Sequence, residues 1–458
     1  MLHFDKRSRL FYVNLRPTRL EDVPEPNLYR EIFPYSQFPK IPFSNERVPT
    51  LIPEETWVTD TTFRDGQQSR PPYTVDQIVT LYKFLHRLGG PKGLIRQSEF
   101  FLYSKRDREA VEKCLELGYE WPQITGWIRS VKSDFELVKQ MGLKETGILM
   151  SCSDYHIFLK LRRSRGEAMA MYLDLARAAL DEGITPRCHF EDITRADFEG
   201  FVVPFAVELM KLAETYDAPV KVRMCDTLGF GVPYVGADLP RSVAKITYLL
   251  HQRAGVPSEW LEWHGHNDFH KVLVNATTAW LHGCCASNGT LLSIGERTGN
   301  PPIEGLVVEH AMLWGETEGV DYSVISEIAD YYRTEIGYEI PPIYPLVGRD
   351  FNVTRAGIHA DGLLKNEEIY NPFDTERVLG SAPSVALTDK SGVAGVIHWV
   401  QDHYHLPEPL AKDDPRIRQI FAWIEAEYED GRVAALSDEE LHAQVREAFG
   451  DGMKRKPR

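Results

Sequence analysis

The chain has 458 residues, a hydrophobic content of 43% and a formal net charge of −15 at pH 7. It is long for one domain and apolar enough to bury a large core, so we expect a catalytic body with a smaller second unit. The acidic balance argues against nucleic-acid and membrane-surface partners, because both attract basic patches.

The sequence has no run of 18 apolar residues, so no transmembrane helix is expected. Its first residues lack the apolar stretch of a signal peptide. The six cysteines show no Cys-x-x-Cys spacing, which is typical of reduced, buried thiols. Together these features favour a cytoplasmic protein.

Residues 1–55 are rich in proline and aromatic side chains and show no clear periodicity. Closely spaced prolines such as Pro24 and Pro26 prevent a long helix there. Because a disordered tail would leave many aromatic rings in water, we expect an irregular arm that packs on the body or on a partner subunit.

From residue 56 to about residue 320, short apolar runs alternate with amphipathic stretches. Eight runs are predicted as strands: 58–61, 94–98, 124–128, 147–150, 187–190, 220–224, 261–264 and 290–294. Helices predicted between them include 76–88, 106–117, 166–182 and 203–216. This alternation predicts a (β/α)8 TIM barrel of the α/β class. A doubly wound open sheet is the alternative, but its glycine fingerprint is missing.

The remaining chain has a different character. Residues 321–385 are broken by prolines and glycines and are predicted as a linker and lid subdomain, with residues 351–362 as a polar loop or a short subdomain. Residues 386–458 are amphipathic and are predicted as a smaller, mainly helical carboxyl-terminal region.

Polar side chains directly follow two predicted strands. Residues 64–68 (RDGQQ) come after the first strand, and residues 264–268 (HGHND) come at the end of the seventh. His264 and His266 are two positions apart and so share one face of a strand. Together with Asp65 they suit a divalent metal that keeps positions open for substrate. An accidental His-x-His and an ordinary Arg–Asp salt bridge are the alternatives.

A third segment, residues 295–300 (GERTGN), follows the predicted eighth strand. Because the carboxyl ends of barrel strands meet at one mouth, the three segments are expected to lie together. Taken alone, the glycine-rich loop is also compatible with an ordinary turn or a phosphate-binding nest.

These three motifs in this order resemble the 2-isopropylmalate synthase and homocitrate synthase family of metal-dependent TIM-barrel enzymes. The resemblance covers residues 56–396, most of the chain. It implies that Asp65, His264, His266 and Asn300 hold the metal. This mixed oxygen and nitrogen donor set fits Mn²⁺, Mg²⁺, Zn²⁺ or Co²⁺, and the sequence does not choose among them.

The resemblance also implies a Claisen condensation of acetyl-CoA with a 2-oxo acid. Arg64, beside the metal carboxylate, would stabilise charge on the ketone oxygen. Either Glu191 or the pair of His359 and Tyr370 would take the methyl proton, and the sequence leaves this open. In this family the second domain caps the neighbouring subunit's site, so a homodimer is expected.

Substrate contacts are expected from five side chains. Arg187 shares a strand face with Glu191, and in homocitrate synthases an arginine here resembles a clamp for the distal carboxylate. For Arg129 a surface salt bridge is an equal alternative. The expected set is Gln68, Arg129, Arg187, His189 and Thr227.

Some positions depart from the common pattern of the family. His189 replaces the usual serine, the second strand is more polar and bulkier, and the amino-terminal arm is longer. These departures resemble the Re-type citrate synthase branch, which uses oxaloacetate. We therefore expect citrate as the product. 2-Oxoglutarate (homocitrate synthase) and then 2-oxoisovalerate (isopropylmalate synthase) are the next alternatives.

Two further classes are less favoured. A metal-dependent carbon–carbon lyase of the same superfamily would normally carry a cysteine in the loop at residues 295–300, and none is present. A non-catalytic binding protein on this fold is expected to lose metal ligands, but all four are present.

Overall fold

The computed structural model describes residues 2–5, 10–13, 19–315, 318–434 and 436–456. The chain divides into two compact units at residues 321 and 322. No helix among the described residues has both the length and the apolar character needed to cross a bilayer. The finer domain bounds expected from the sequence stay predictions.

The first unit contains a closed barrel of eight strands, each parallel to its neighbours, which confirms the predicted (β/α)8 fold. Two short antiparallel strands, β1 (Leu2–Asp5) and β2 (Leu10–Val13), precede it. The barrel strands are β3 (Trp57–Asp60), β4 (Ile95–Phe101), β5 (Gln123–Ile128), β6 (Glu145–Ser151), β7 (Thr185–Glu191), β8 (Lys221–Asp226), β9 (Leu261–Gly265) and β10 (Ala286–Gly289). The barrel closes where β10 pairs with β3.

Helices follow the barrel strands in alternation. They are α1 (Val75–Gly89), α2 (Lys105–Glu116), α3 (Phe135–Gln140), α4 (Arg165–Asp181), α5 (Val203–Tyr216), α6 (Val243–Ala254), α7 (Val272–Trp280) and α8 (Ile303–Trp314). Capping boxes at Thr74, Ser104 and Ser164 satisfy the free amides that begin α1, α2 and α4. The helices predicted at 76–88, 106–117, 166–182 and 203–216 are confirmed within one residue at each end.

The eighth strand lies earlier than the sequence predicted. Residues 286–289 form β10, whereas the predicted run at 290–294 contains a 3-10 turn. Leu292 and Ser293 there adopt φ angles of 54° and 57°, which an extended strand excludes. The run is apolar because Leu291 and Leu292 are buried in this turn, so the pattern reported burial rather than extension.

The amino-terminal arm departs from the prediction at its start, where β1 and β2 pair in a segment predicted as irregular. Further along, residues 19–55 are largely irregular, as expected. Arg241 Nη1 donates to the carbonyl of Pro39 at 3.0 Å, and Phe33 packs on Phe230 with ring centroids 5.0 Å apart. These contacts hold the arm on the barrel.

The second unit is mainly helical, as predicted. Its helices are α9 (Val324–Thr334), α10 (Gly357–Lys365), α11 (Thr375–Leu379), α12 (Gly392–His403), α13 (Pro415–Glu429) and α14 (Asp438–Phe449), with two short paired strands, β11 (Val353–Thr354) and β12 (Ser384–Val385). Apolar faces of α12, α13 and α14 form its core. The segment 351–362, predicted as a loop or a short subdomain, includes the first six residues of α10.

Candidate metal centre

Three predicted metal ligands converge at the carboxyl end of the barrel. Asp65 follows β3, His264 is on β9 and His266 directly follows it. The Oδ2 atom of Asp65 lies 3.7 Å from Nε2 of His264 and 3.6 Å from Nε2 of His266. All three side chains are buried. Parallel strands place these residues together although 199 positions separate Asp65 from His264.

The surroundings fit a bound cation. Asp65 Oδ2 and Asn300 Oδ1 are buried and have no hydrogen-bond partner within the described part of the chain. Nδ1 of His264 lies 2.7 Å from Oδ1 of Asn288, so that nitrogen donates and Nε2 keeps its lone pair towards the cluster. A Cβ at Gly295 would overlap Asn300 Oδ1, so the glycine makes room for the amide.

The electrostatics prepare the same atoms for coordination. Burial alone would raise the pKa of Asp65, but Arg64 and the two histidines outweigh it and lower that pKa to about 2. Burial lowers the pKa of His264 to about 3 and also lowers that of His266. At neutral pH the cluster therefore offers one carboxylate and two neutral imidazoles, which are the forms that bind metal.

Arg64 stands beside the cluster and is 8% exposed. Its Nη1 lies 3.2 Å from Oδ1 of Asp65, and its Nε donates to Oε2 of Glu99 at 2.9 Å. Pairing with Asp65 was one alternative role for this arginine. Glu296, the other partner considered, lies 3.9 Å from Arg297 instead.

Glu191 is the last residue of β7 and reaches the same mouth. Its carboxylate accepts a hydrogen bond from Ser151 and lies 2.9 Å from Nδ1 of His156 and 3.1 Å from Nζ of Lys160. Burial raises its pKa, but His156, Ser151 and Lys160 together lower it to about 2. Glu191 is therefore ionised across the physiological range.

The expected substrate residues fall into two groups, and their roles stay predictions. Thr227 follows β8, and its hydroxyl accepts from the amide of Asp192 at 2.8 Å. Gln68 lies on the exposed turn after Asp65. Arg129 forms an ion pair with Asp134 at 3.0 Å, which is the alternative the sequence left open.

Arg187 and His189 lie deeper, inside the barrel. Both are on β7 and are at most 2% exposed. Nη2 of Arg187 donates to Oε1 of Glu99 at 2.7 Å, and Nε2 of His189 lies 3.4 Å from the same oxygen. Protein groups already engage this guanidinium, so a substrate carboxylate would have to displace one of them.

His359 and Tyr370 belong to the second unit. Their ring centroids are 4.3 Å apart, and His359 lies on α10. A Cβ at Gly362 would overlap the Tyr370 ring, so this glycine allows the rings to meet. Asp361, considered as a partner for His359, binds Lys365 at 2.7 Å and also Lys412.

Sequence reasoning missed several polar residues inside the barrel. Glu99 was noticed only as part of a polar strand, and Arg223 and Glu262 were not singled out. A usable signal existed, because Glu262 precedes His264 by two positions and therefore shares its inward face. Polar residues repeating every second position on buried strands indicate a charged barrel interior.

Comparison with known proteins agrees with this fold and site. A family model described as HMGL-like matches residues 56–331. A citrate (Re)-synthase of Syntrophus aciditrophicus is 58% identical over 429 residues, 93% of this chain and 68% of that protein. A citrate (Re)-synthase of Clostridium kluyveri is 54% identical over 429 residues, 93% of this chain and 95% of that protein.

More distant matches include 2-isopropylmalate and homocitrate synthases. Among solved structures, an HMG-CoA lyase of Bacillus subtilis aligns with a TM-score of 0.50 at 17% identity, covering 64% of this chain and 97% of the lyase, and supports the barrel fold. The chain belongs to the HMGL-like family, together with the citrate (Re)-synthases.

Proposed function

We propose that this protein condenses acetyl-CoA with oxaloacetate to give citrate and free CoA. The cluster of Asp65, His264 and His266, with the amide of Asn300 beside it, is the observation that carries the proposal. The two citrate (Re)-synthases that are 58% and 54% identical to this chain support the choice of substrate.

A divalent metal held by these residues would polarise the ketone of the oxo acid as a Lewis acid. Arg64 is placed to stabilise negative charge that develops on the ketone oxygen as the new carbon–carbon bond forms. Its guanidinium is held by Asp65 and Glu99, so it needs little reorganisation during the reaction. Water then cleaves the thioester, which makes the condensation irreversible.

Deprotonation of the acetyl methyl group needs a base. Glu191 is ionised, but its low pKa and its contacts with His156 and Lys160 make it a weak proton acceptor. These contacts favour the pair of His359 and Tyr370 as the proton acceptor. Glu191 would then orient substrate or the neighbouring His156.

We also propose a homodimer in which the second unit of one subunit caps the partner's barrel. Ile358 and Ile369, which adjoin His359 and Tyr370 in sequence, are 72% and 52% exposed in the single chain. Apolar side chains exposed beside these residues are typical of a covered surface. A cytoplasmic location is supported by six free cysteines, all of them buried.

Thiol release from acetyl-CoA tests the substrate directly. The full chain with Mn²⁺ is assayed anaerobically with oxaloacetate, 2-oxoglutarate or 2-oxoisovalerate. We expect the highest kcat/KM with oxaloacetate and citrate as its product. A preference for 2-oxoglutarate would make the protein a homocitrate synthase, and a preference for 2-oxoisovalerate an isopropylmalate synthase. Cleavage of a hydroxyacyl-CoA without condensation would indicate the lyase class.

A further inference from the structure

One carboxylate joins three arginines inside the barrel. Glu99 lies on β4 and is 1% exposed. Its Oε2 accepts from Nε of Arg64 and from Nη1 of Arg223, both at 2.9 Å, and its Oε1 accepts from Nη2 of Arg187 at 2.7 Å. Burial raises the pKa of Glu99, but the three arginines outweigh it and hold that pKa well below its usual range.

This group of four side chains lies directly below the metal cluster. Arg64, one of its members, contacts the predicted metal ligand Asp65 at 3.2 Å. Arg223, another member, pairs with Glu262 at 2.6 Å, and Glu262 is one inward position below His264 on β9. The carboxylate of Glu99 therefore lies at the floor of the space where a metal-bound oxo acid would sit.

Arg187 is engaged by the protein on both terminal nitrogens. Besides Glu99, its Nη1 donates to Oε1 of Gln97 at 2.9 Å, and its Nη2 donates to the hydroxyl of Thr125 at 3.0 Å. Glu145 lies 3.1 Å from Nη1. An oxo acid that approaches from the metal cluster meets Glu99 before it reaches Arg187.

The backbone leaves room for this floor at one glycine. A Cβ at Gly147 would lie 2.5 Å from Nε2 of His189 and 2.9 Å from Oε1 of Glu99. Both distances are shorter than real Cβ contacts. The glycine therefore allows the His189 ring and the Glu99 carboxylate to lie side by side.

We propose that Glu99 sets the length of the oxo acid, because its carboxylate fills the site formed by Arg64, Arg187 and Arg223, and that it also positions Arg64 beside the metal cluster. The inference rests on the proposed condensation. In the wild-type protein the expected clamp at Arg187 is closed by the protein's own carboxylate, so a short oxo acid fits and a longer one meets a filled floor.

Shortening Glu99 should open the floor. In Glu99→Asp the carboxylate retreats by one methylene, the difference between oxaloacetate and 2-oxoglutarate. We expect kcat/KM for 2-oxoglutarate relative to oxaloacetate to rise by about 10- to 200-fold, the usual discrimination for one methylene. The matched control is Glu145→Gln, which removes a carboxylate beside the same Arg187 and leaves Glu99 in place. Its ratio should stay at the wild-type value.

Positioning of Arg64 has a separate readout. Glu99→Gln keeps the shape and loses the charge, so kcat with oxaloacetate should fall while KM for oxaloacetate changes little. Glu99→Ala empties the arginine site, and sodium formate should then restore part of kcat and raise the Tm of this variant. The wild-type protein and Glu145→Gln should show no formate-specific rise beyond that with sodium chloride.

An unchanged substrate ratio in Glu99→Asp would overturn the length assignment, and equal effects of formate on all proteins would overturn the carboxylate site. If Glu99→Ala does not fold, the Glu99→Asp ratio and the Glu99→Gln kinetics decide. If the wild-type protein condenses none of the oxo acids, the proposed function fails. The formate-dependent Tm of Glu99→Ala then still tests the arginine site.

Discussion

At the scale of single residues, the candidate centre depends on protonation states that burial and neighbouring charges impose. Arg64 and the histidines keep Asp65 ionised, while burial keeps His264 and His266 neutral. The amide of Asn288 selects the tautomer of His264. These effects leave the lone pairs of three side chains directed at one point.

Replacement of Arg64 by lysine tests its role at this scale. Lysine keeps the positive charge but lacks the planar fork that contacts both Asp65 and Glu99. We expect kcat to fall by about 100-fold or more, as for loss of one group that stabilises developing charge, with little change in KM for oxaloacetate. Steady-state kinetics measure both quantities.

Arg253→Lys is the matched control for this substitution, because Arg253 pairs with Glu199 at the barrel surface. It should retain wild-type kinetics. A change in Arg64→Lys that is confined to KM would show that the arginine binds only the ground state.

At the scale of elements, the loop at residues 295–300 completes the centre because neighbouring loops hold it. Nε of Arg297 donates to Oδ1 of Asp268 at 2.8 Å, which ties the loop to the segment after β9. The amide of Asn267 donates to the carbonyl of Gly299 at 2.9 Å. The loop thereby places Asn300 against the buried end of β9, where its Nδ2 donates to the carbonyl of Gly265 at 3.1 Å.

Gly295→Ala tests the contribution of this loop to metal binding. The new methyl group would overlap Asn300 Oδ1 and displace the amide. We expect metal affinity to fall by about 10- to 100-fold, as is typical when support of a metal site is lost. Titration against a fluorescent chelator measures the affinity, and elemental analysis gives the metal content.

Gly452→Ala serves as the control, because a Cβ there meets no atom within 4 Å. It should bind metal like the wild-type protein. Removal of metal from the wild-type protein should abolish condensation, and readdition of Mn²⁺ should restore it. Full activity of a metal-free preparation would contradict a metal-dependent mechanism.

At the scale of the whole molecule, the candidate catalytic groups are divided between two compact units. The barrel carries the cluster around Asp65, and the second unit carries His359 and Tyr370. Exposed Ile358 and Ile369 beside this pair support a surface that a partner covers. A site completed by a second copy makes the proposed dimer a requirement for activity.

Mixing two inactive variants tests this arrangement. Asp65→Ala removes a barrel ligand, and His359→Ala removes the group on the second unit. After subunit exchange, hybrid dimers contain one site with both groups intact, so an equal mixture should regain about a quarter of wild-type activity. Thiol release measures the recovery.

Exchange must be verified independently, for example by native mass spectrometry of tagged subunits. Mixed Asp65→Ala and Asp65→Asn proteins provide the control, since every site in that mixture lacks the carboxylate. Absence of recovery after confirmed exchange would show that each site is built within one chain.

The sequence by itself determined the alternation of strands and helices, because the spacing of apolar residues reflects which face each element buries. It also determined the motifs around Asp65, His264 and His266, because strand geometry places residues two apart on one face. Its eighth strand was wrong because the apolar run at 290–294 is buried in a turn.

Only the tertiary structure decided how the charged interior is paired. Glu99 and Arg223 are 124 positions apart, and Glu99 and Arg187 are 88 apart, yet each pair forms a short hydrogen bond. Closure of the barrel creates these contacts, and no local pattern encodes which inward carboxylate meets which arginine. The local sequence therefore specifies which side chains face inward, whereas the closed fold decides which of them remain free for a ligand.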